Sequence, residues 1–264
     1  MDLDQSLKKK DKVSAIIQAR MDSERLPGKV LLKIRNKTIL EHIILRLKKS
    51  KKIDEIIVAT SNHKNDSKII NLCKKKKIKY FCGNKNNLVE RYLGASKKYN
   101  CKNIVRITGD CPLIDPNLID EIVDIYHKSS YELVSLFGEF PDGLDVSILS
   151  IKALKKIKLY ARKNYEKEHM FQSVYNNPKK FKFLDYEKFS KLGGLRLTLD
   201  EPKDYDLISK IFEYMKRDFF TIKDILNLFL KHKELLKINN NIVRNEGLLK
   251  SKNNEKKTRY QKNI

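Results

Sequence analysis

The sequence predicts an α/β protein built on a parallel sheet with helices on both faces. Short apolar runs of strand length alternate with segments whose apolar residues recur at helical spacing. This alternation is typical of strand–helix–strand units, in which each helix crosses over the sheet. With 264 residues, the chain is also long enough to bury one substantial core. We therefore expect ligands to bind beyond the carboxyl ends of the strands.

The predicted elements of the first half are well separated. Four apolar runs are predicted as strands, namely 13–18, 55–60, 78–82 and 103–108. Three segments between them are predicted as helices, namely 38–50, 66–77 and 87–99. Thr38 and Glu41 match a capping box at the start of the first helix. Asp115-Pro116 offers a cap and a favourable first residue for a further helix.

The second half gives weaker signals. Alternating leucines over 195–199 predict a strand, which is followed by a predicted helix over 202–216. Residues 221–236 are predicted to form an amphipathic helix capped by Thr221 with Asp224. The predicted organisation is a polar tail over 1–12, a main domain over 13–216 with an extension at about 138–195, a helical segment over 217–238 and a basic tail over 239–264. The asparagine- and lysine-rich composition of that tail predicts disorder, although it could also contact anionic lipid or a partner.

The lysine-rich composition argues against several classes of partner and site. The formal net charge is +24, but the lysines are spread along the whole chain and form no basic stripe, so we expect no nucleic-acid partner. No apolar run approaches the ~20 residues that span a bilayer, and the polar start is unlike a signal peptide. We therefore expect a cytoplasmic protein without stable membrane insertion. The four cysteines lack C-x-x-C spacing, which indicates free thiols and no zinc site.

The loop 18–29, directly after the first predicted strand, is the most informative segment. It reads Gln-Ala-Arg-Met-Asp-Ser-Glu-Arg-Leu-Pro-Gly-Lys, so that Arg20, Arg25 and Lys29 accompany a Pro-Gly turn. Guanidinium groups pair with phosphate oxygens, lysine supplies a point charge, and glycine lets the backbone approach closely. The loop therefore predicts a triphosphate site, although an ordinary basic loop would contain the same residue types.

Two further segments provide carboxylates. Asp110 follows the predicted strand 103–108, and carboxylate oxygen suits Mg²⁺ that also bridges phosphates. Asp200, after the alternating leucines, is a candidate partner for it. Each of these aspartates could instead be a turn or helix cap. Asp142 and Asp145 lie across a glycine in a turn before a strand, and the directions of their side chains stay open.

Five ordered motifs resemble one enzyme superfamily. They read QARMDSERLPGKVL, GNKNNLVERY, RITGDCPLIDP, FPDGLDV and RLTLDEPKD. Their order and spacing are similar to those of the CMP-Kdo synthetase and acylneuraminate cytidylyltransferase superfamily, specifically its branch linked to spore-coat and surface polysaccharide synthesis. The resemblance covers about residues 13–215. It implies a Rossmann-like nucleotidyltransferase fold (the nucleotide-diphospho-sugar transferase fold), with a mixed, mainly parallel sheet and a small dimerisation or sugar-side extension.

The resemblance also implies an activity. CMP would be transferred from CTP to a sugar, such as a Kdo-like or sialic-acid-like keto-acid sugar, with release of pyrophosphate. A homodimer using Mg²⁺ or Mn²⁺ is implied as well. Two rivals are a glycosyltransferase that uses a finished nucleotide-sugar and a non-catalytic nucleotide-binding subunit of a glycan assembly system. The triphosphate loop argues against the first rival, and Asp110 with Lys29 argues against the second.

The resemblance implies roles for individual residues. Those implied to bind the nucleotide are Gln18, Ala19, Arg20, Ser23, Arg25, Lys29, Asn87, Val89, Arg91 and Arg106. Those implied to bind the metal are Asp110 and Asp200, although Asp200 could act as a base instead, and those on the sugar side are Asp142, Asp145 and Arg196. Arg20, Lys29 and Asp110 are the implied catalytic residues, because the two cations would stabilise charge on the leaving pyrophosphate. The segment Glu168-His-Met-Phe-Gln172 departs from the Glu-His-Val-Thr-Pro of relatives, so the acceptor or the dimer interface can differ.

Overall fold

The computed structural model describes residues 11–244 and 246–253. Its strands are β1 Val13–Gln18, β2 Lys33–Ile34, β3 Lys37–Thr38, β4 Glu55–Ser61, β5 Lys79–Gly83, β6 Asn103–Thr108, β7 Leu133–Phe137, β8 Ser147–Ser150 and β9 Phe183–Glu187. Its helices include α1 Ile39–Leu47, α2 Ser67–Lys75, α3 Leu88–Tyr99, α4 Pro116–His127, α5 Ile151–Tyr160, α6 Asn164–Glu168, α7 Gln172–Tyr175, α8 Pro202–Met215 and α9 Ile222–Lys231. Residues 246–253 are also helical.

A mixed, mainly parallel sheet forms the centre of the molecule. Seven strands lie in the order β5-β4-β1-β6-β8-β7-β9, while β2 and β3 form a separate hairpin. The neighbours β5, β4, β1 and β6 are parallel, as predicted, whereas β8 runs antiparallel to both β6 and β7. Gln18 pairs in register with Thr108, so β1 and β6 end side by side. This edge of the sheet is where the loop 18–29 and Asp110 begin.

Helices cover both faces of the sheet, which confirms the predicted layers. Successive side chains of a strand point to opposite faces, so Ala15 and Ile17 join one core cluster and Ile16 joins the other. The first cluster includes buried residues of α1, α2, α4, α8 and α9, and the second those of α3, α5 and α7. Within the predicted extension at about 138–195, β9 pairs in parallel with β7 at the edge of the same sheet.

The predicted helix starts are confirmed by their caps. Thr38 and Glu41 form the reciprocal capping box of α1, and Thr221 with Asp224 does the same for α9. The Asp115 side chain accepts a hydrogen bond from the backbone of Asn117 at the start of α4. These local signals were therefore sufficient to place the helices that pack on the sheet.

The predicted strand over 195–199 is wrong. Only an isolated bridge joins Arg196 to Asp142, because this extended segment bonds to two loops instead of a strand. The backbone N–H of Leu197 donates to the carbonyl of Asp142 at 2.6 Å, and that of Leu199 donates to the carbonyl of Asp110 at 2.8 Å. The consequence is functional, since these bonds bring Asp200 beside Asp110.

The carboxyl-terminal predictions also need correction. The predicted helix 221–236 ends earlier, at Lys231, and a short 3₁₀ turn follows over Lys233–Lys237. Disorder was expected from 239 onward, yet Asn239 is buried and donates to Asp204 at 2.8 Å. Hydrogen bonds of Asn239 hold the start of this segment against the domain, and composition alone does not reveal such contacts. Residues 254–264 of the predicted tail, and 1–10 of the amino-terminal one, lie outside the described residues. No helix in the described part of the chain is long and apolar enough to cross a membrane.

Candidate active site

A cavity of about 1630 Å³ opens beyond the carboxyl ends of β1 and β6. Pockets for one drug-sized ligand usually occupy ~300–1,000 Å³, so this cavity has room for two substrates. Segments far apart in the sequence line it, among them 18–25, 108–111, 145–147 and 168–172. The topological prediction that ligands bind at this edge agrees with the position of the cavity.

The loop after β1 is fixed by backbone geometry and by one buried carboxylate. Gly28 has a φ of 72°, in the left-handed region that glycine adopts without strain, and it turns the chain so that Lys29 points back to the sheet edge. Asp66 accepts hydrogen bonds from the backbone of Met21 at 2.7 Å and from the backbone of Ser61 at 3.0 Å. Asp66 therefore ties this loop to the end of β4, a positioning role that the sequence did not reveal.

Lys29 joins the two predicted metal ligands. Its Nζ lies 3.0 Å from Oδ2 of Asp110 and 2.6 Å from Oδ1 of Asp200. Burial opposes the charge on Asp110, but the neighbouring ammonium outweighs burial and lowers the pKa of Asp110 to about 2. Burial likewise opposes the charge on Lys29, yet the two carboxylates raise its pKa. Lys29 and Asp110 are thus stabilised as a charged pair, and Asp200 contacts the same ammonium group.

Close contact between strands places Asp110. A Cβ atom on Gly109 would lie 2.6 Å from the carbonyl oxygen of Gln18, so only glycine permits β6 to end this close to β1. Gln18 also accepts a hydrogen bond from Tyr92 at 3.4 Å. The neighbouring Cys111 is buried, and burial raises the pKa of its thiol well above the usual value. This residue packs, as predicted, and the four cysteines of the chain are free thiols.

The donor set at Asp110 and Asp200 fits a hard divalent cation. Both carboxylates lie at the cavity and already share one cation, the Lys29 ammonium. Mg²⁺ prefers oxygen ligands and is often bound by one or two carboxylates together with substrate phosphates. In the described part of the chain, no cluster of three or more His, Cys, Asp and Glu side chains could hold a metal. The two aspartates would therefore need phosphate and water oxygens to complete a coordination shell.

Both predicted phosphate-binding arginines contact carboxylates at the cavity. Arg20 lies 3.0 Å from Glu168. Arg25 lies 3.4 Å from Asp200, 3.2 Å from Glu201 and 3.0 Å from Glu246. Ser23 lines the cavity between them. These carboxylates mark positions at which the site favours anionic oxygen.

The remaining predicted nucleotide residues fall into three groups. Gln18, Ala19 and Arg91 line the cavity, and the Arg91 guanidinium donates to the carbonyl of Asn84 at 3.2 Å. Asn87 is the cap of α3, and Val89 is buried in the core, so neither lines the cavity. Arg106 lies on β6 opposite Ser147 of β8, and its guanidinium is 5.4 Å from the ring of Phe171. The structure thus places Arg106 toward the predicted sugar side.

Asp142 and Asp145, the two aspartates predicted for the sugar side, both line the cavity. Burial and repulsion from Asp145 raise the pKa of Asp142 to about 7, although Arg196 lies only 2.9 Å away. Burial also raises the pKa of Asp145. The Arg196 guanidinium binds the fully buried Asp204 in a bidentate manner, since its Nε and one terminal nitrogen each lie 2.9 Å from that carboxylate. Arg196 therefore holds Asp142 in place more than it offers free donors.

Several cavity residues were missed in the sequence. Those that line the nucleotide side include Asn65, Lys68, Lys85, Asn86 and Glu246, and those that line the opposite side include His169, Phe171, Tyr175 and Arg244. Two signals touched this set: Lys85 and Asn86 lie in the motif GNKNNLVERY, and His169 and Phe171 lie in the departing segment 168–172. Arg244 and Glu246 carried no signal, because they lie in a segment whose composition predicted disorder.

This fold and this site define a nucleotidyltransferase. A triphosphate-type loop and a pair of metal-suited carboxylates meet at the edge of a mainly parallel sheet, beside space for a second substrate. The chain belongs to the cytidylyltransferase family, whose model matches residues 14–255. Enzymes of this family typically use a divalent metal ion.

Similar proteins agree with this assignment. An uncharacterized protein of Methanocaldococcus jannaschii is 38% identical over 88% of this chain and 96% of its own length. The spore coat polysaccharide biosynthesis protein SpsF of Bacillus subtilis is 27% identical over 75% of this chain and 85% of its own. A cytidylyltransferase structure from Leptospira borgpetersenii is 35% identical, with a TM-score of 0.82, and covers 88% of this chain and 98% of its own. A CMP-Kdo synthetase complexed with CTP shares the fold, with a TM-score of 0.62 at 15% identity over 78% of this chain and 100% of its own.

Proposed function

We propose that this enzyme transfers CMP from CTP to a keto-acid sugar, of the Kdo or sialic-acid type, and releases pyrophosphate. The observation that carries the proposal is the contact of Lys29 with Asp110 and Asp200 beside the two arginines of the triphosphate-type loop. Two adjacent carboxylates are the protein ligands that Mg²⁺ commonly takes together with substrate phosphates. The family match and the likeness to SpsF support a product used in surface polysaccharide synthesis.

Catalysis in this proposal comes from alignment and charge neutralisation. A hydroxyl oxygen of the sugar would attack the α-phosphorus in line with the departing pyrophosphate. Arg20, Arg25 and Lys29 would bind the β- and γ-phosphates, so that charge developing on the leaving group meets fixed cations. Gln18 and Arg91, which line the cavity on the nucleotide side, would contact the ribose or base.

Asp110 and Asp200 would hold the metal, with Mg²⁺ or Mn²⁺ fitting their oxygen donors. When bound, such an ion neutralises phosphate charge and orients the leaving pyrophosphate. The chain's own contribution is to keep the two carboxylates adjacent through Lys29. Asp200 is further placed by its backbone N–H, which donates to Asp204 at 2.9 Å.

Asp142 and Asp145 would face the acceptor sugar and bind its hydroxyl groups. Arg196 would act on the sugar side by holding Asp142 at 2.9 Å. A homodimer remains a prediction from the resemblance, and a cytoplasmic location remains a prediction from the composition. Asn87 and Val89 would support the nucleotide side indirectly, through the cap and core packing of α3.

The test is pyrophosphate release with Mg²⁺ and each of CTP, UTP, GTP and ATP, against keto-acid sugars and sugar phosphates. We expect release with CTP and a keto-acid sugar, and little with the other nucleotides. Omitting the metal should abolish the reaction. Selectivity for another nucleotide would contradict the proposal. CTP binding without release for any acceptor would instead favour the non-catalytic rival.

A further inference from the structure

Two guanidinium groups reach the acceptor end of the cavity from unrelated parts of the chain. Arg106 comes from the middle of β6, and Arg244 comes from the carboxyl-terminal segment that crosses the cavity. Both line the cavity on the side of Asp142 and Asp145. In the described residues, neither guanidinium has a carboxylate oxygen within the 4.0 Å of an ion pair. Their partners are aromatic rings and one carbonyl group.

Arg244 is held in a defined position. Its guanidinium lies 4.4 Å from the centre of the Phe140 ring, and it donates to the carbonyl of the same residue at 2.8 Å. Phe140 itself is buried, so it provides a fixed support. Stacking on an aromatic face leaves the edge of a planar guanidinium free to donate hydrogen bonds. Arg244 therefore presents donors to the cavity at little further entropic cost.

Arg106 has an unsatisfied donor. Its guanidinium lies 5.4 Å from the Phe171 ring, and its Nε is buried without a hydrogen-bond partner. Leaving a buried donor unpaired is costly, and a donor on a charged group costs more. A ligand oxygen that reaches this group would therefore gain a strong, charge-assisted hydrogen bond.

The surrounding charges favour an anion near neutral pH. Both arginines lower the pKa of Asp145, and Arg244 also lowers that of Asp142, so the four groups share one electrostatic environment. Burial nevertheless leaves the pKa values of both aspartates raised, that of Asp142 to about 7. The two guanidinium charges are accordingly not fully balanced by these neighbours.

We propose that Arg106 and Arg244 together bind an anionic group of the acceptor sugar, and so select charged acceptors over neutral ones. Guanidinium forks match the oxygens of a carboxylate or a phosphate, which are the two groups that this chemistry suits. The inference rests on the proposed function for the identity of the reaction. It adds a role for Arg244, and it assigns Arg106 to acceptor binding, where the resemblance implied nucleotide binding. The bland alternative is that both arginines only neutralise Asp142 and Asp145.

The test compares acceptors that differ by one charge. Pyrophosphate release from CTP is measured with Kdo and N-acetylneuraminate against their methyl esters, and with sugar phosphates against the free sugars. The enzymes are the native protein, Arg244→Gln, Arg244→Lys and Arg106→Gln, with Arg35→Gln as a control. Arg35 is exposed and pairs with Asp218, away from the cavity.

We expect the native enzyme to prefer the charged member of one series. A preference for the free acids over their methyl esters identifies the anion as a carboxylate, and a preference for the sugar phosphates over the free sugars identifies it as a phosphate. Arg244→Gln should raise the KM of that acceptor by about 10- to 100-fold, as for loss of a charged hydrogen bond. The KM of its neutral counterpart and that of CTP should change little. Arg106→Gln should act in the same direction, and Arg244→Lys should recover part of the preference.

Three results would overturn the inference. One is a native enzyme that turns over neutral and charged acceptors equally. Another is an Arg244→Gln enzyme that loses activity equally with both members of a series, as mere neutralisation of the aspartates predicts. If no acceptor leads to pyrophosphate release from CTP, the proposed function fails, but the role of the two arginines is still open to the third test. The arginines are then tested by NMR binding of the same acids and esters to the CTP-loaded protein, and absence of acid-selective, Arg244-dependent binding contradicts their role.

Discussion

The two ends of the cavity are built in different ways. At the triphosphate end, the cations come from one short loop and each contacts carboxylates, as Lys29 does with Asp110 and Asp200. At the acceptor end, the residues come from segments near 106, 142, 171 and 244, and the guanidinium groups pack on aromatic rings. The triphosphate end is therefore a contiguous, charge-paired motif. The acceptor end is assembled by the fold, and it can change without altering that motif.

The largest effect is expected at the triphosphate end. Asp110→Ala removes a carboxylate that contacts Lys29 and that would hold the metal beside the phosphates, so turnover should fall by at least about 10²–10³-fold while CTP still binds weakly. The measurement is kcat from pyrophosphate release, with CTP binding followed separately by calorimetry. Asp206→Ala, at an exposed position of α8, is the matched control. Turnover that stays at the native level would remove Asp110 from the metal site.

A second large effect, on the stability of the fold, is expected at Arg196, which contacts Asp200 at the triphosphate end and Asp142 at the acceptor end. Arg196→Ala leaves the fully buried Asp204 without its bidentate partner, and loss of one member of a buried pair costs about 3–5 kcal/mol. The free energy of unfolding is measured by urea denaturation. The control Arg217→Ala removes an exposed pair with Asp224 and should cost less than about 1 kcal/mol. Equal losses in the two variants would show that Arg196 is not a structural bridge.

The raised pKa of Asp142 predicts a pH-dependent difference at the acceptor end. Its value of about 7 in the folded protein lies above the ordinary value of 3.8, so the folded state holds the proton more tightly. The Asp142 carboxyl group therefore favours the folded state at low pH, where it is protonated. Its contribution to the free energy of unfolding is lost as pH rises from about 4 to about 7.

Asp142→Asn removes that dependence. Relative to the native protein, the variant should gain up to about 4 kcal/mol in free energy of unfolding between pH 4 and pH 8. Urea denaturation across this range checks the gain, with Asp206→Asn, at an exposed position of α8, as the control. Parallel curves for Asp142→Asn and the native protein would mean that Asp142 ionises normally.

The smallest effect concerns competition for Arg25. Glu246 lies 3.0 Å from this arginine, on the carboxyl-terminal segment, and would have to give way to a phosphate. Because ion pairs near the surface are weak, Glu246→Gln should lower the KM for CTP by only about two- to threefold. Initial rates at varied CTP measure this, with the exposed Glu234→Gln as the control. A higher KM would show that Glu246 assists nucleotide binding.

Sequence patterns predicted the parts of this protein that are local. The parallel strands, the capped helices and the loop 18–29 were identified because short-range spacing and turn chemistry determine them. The meeting of Asp110 with Asp200 was expected from the resemblance, and the structure gives its physical basis in the extended segment before Asp200.

The rest could not be predicted because it depends on tertiary contacts. The leucines over 195–199 alternate as in a strand, yet their backbone groups bond to loops. Arg244 stacks on Phe140, 104 positions away, which no periodicity reveals. The Asn239 amide is satisfied by the Arg196 carbonyl and by Asp204, so a polar segment becomes ordered where composition indicates disorder.

The contact of Lys29 with two distant aspartates has a consequence for how the protein folds. The partners are 81 and 171 positions away in the chain, so the constellation cannot exist until the strands of the central sheet and the segment after them have come together. Contacts of such long sequence separation form slowly, because the chain must close large loops before they stabilise it. Competence to bind a nucleotide should accordingly be among the last properties to appear during refolding, after most helical structure has returned.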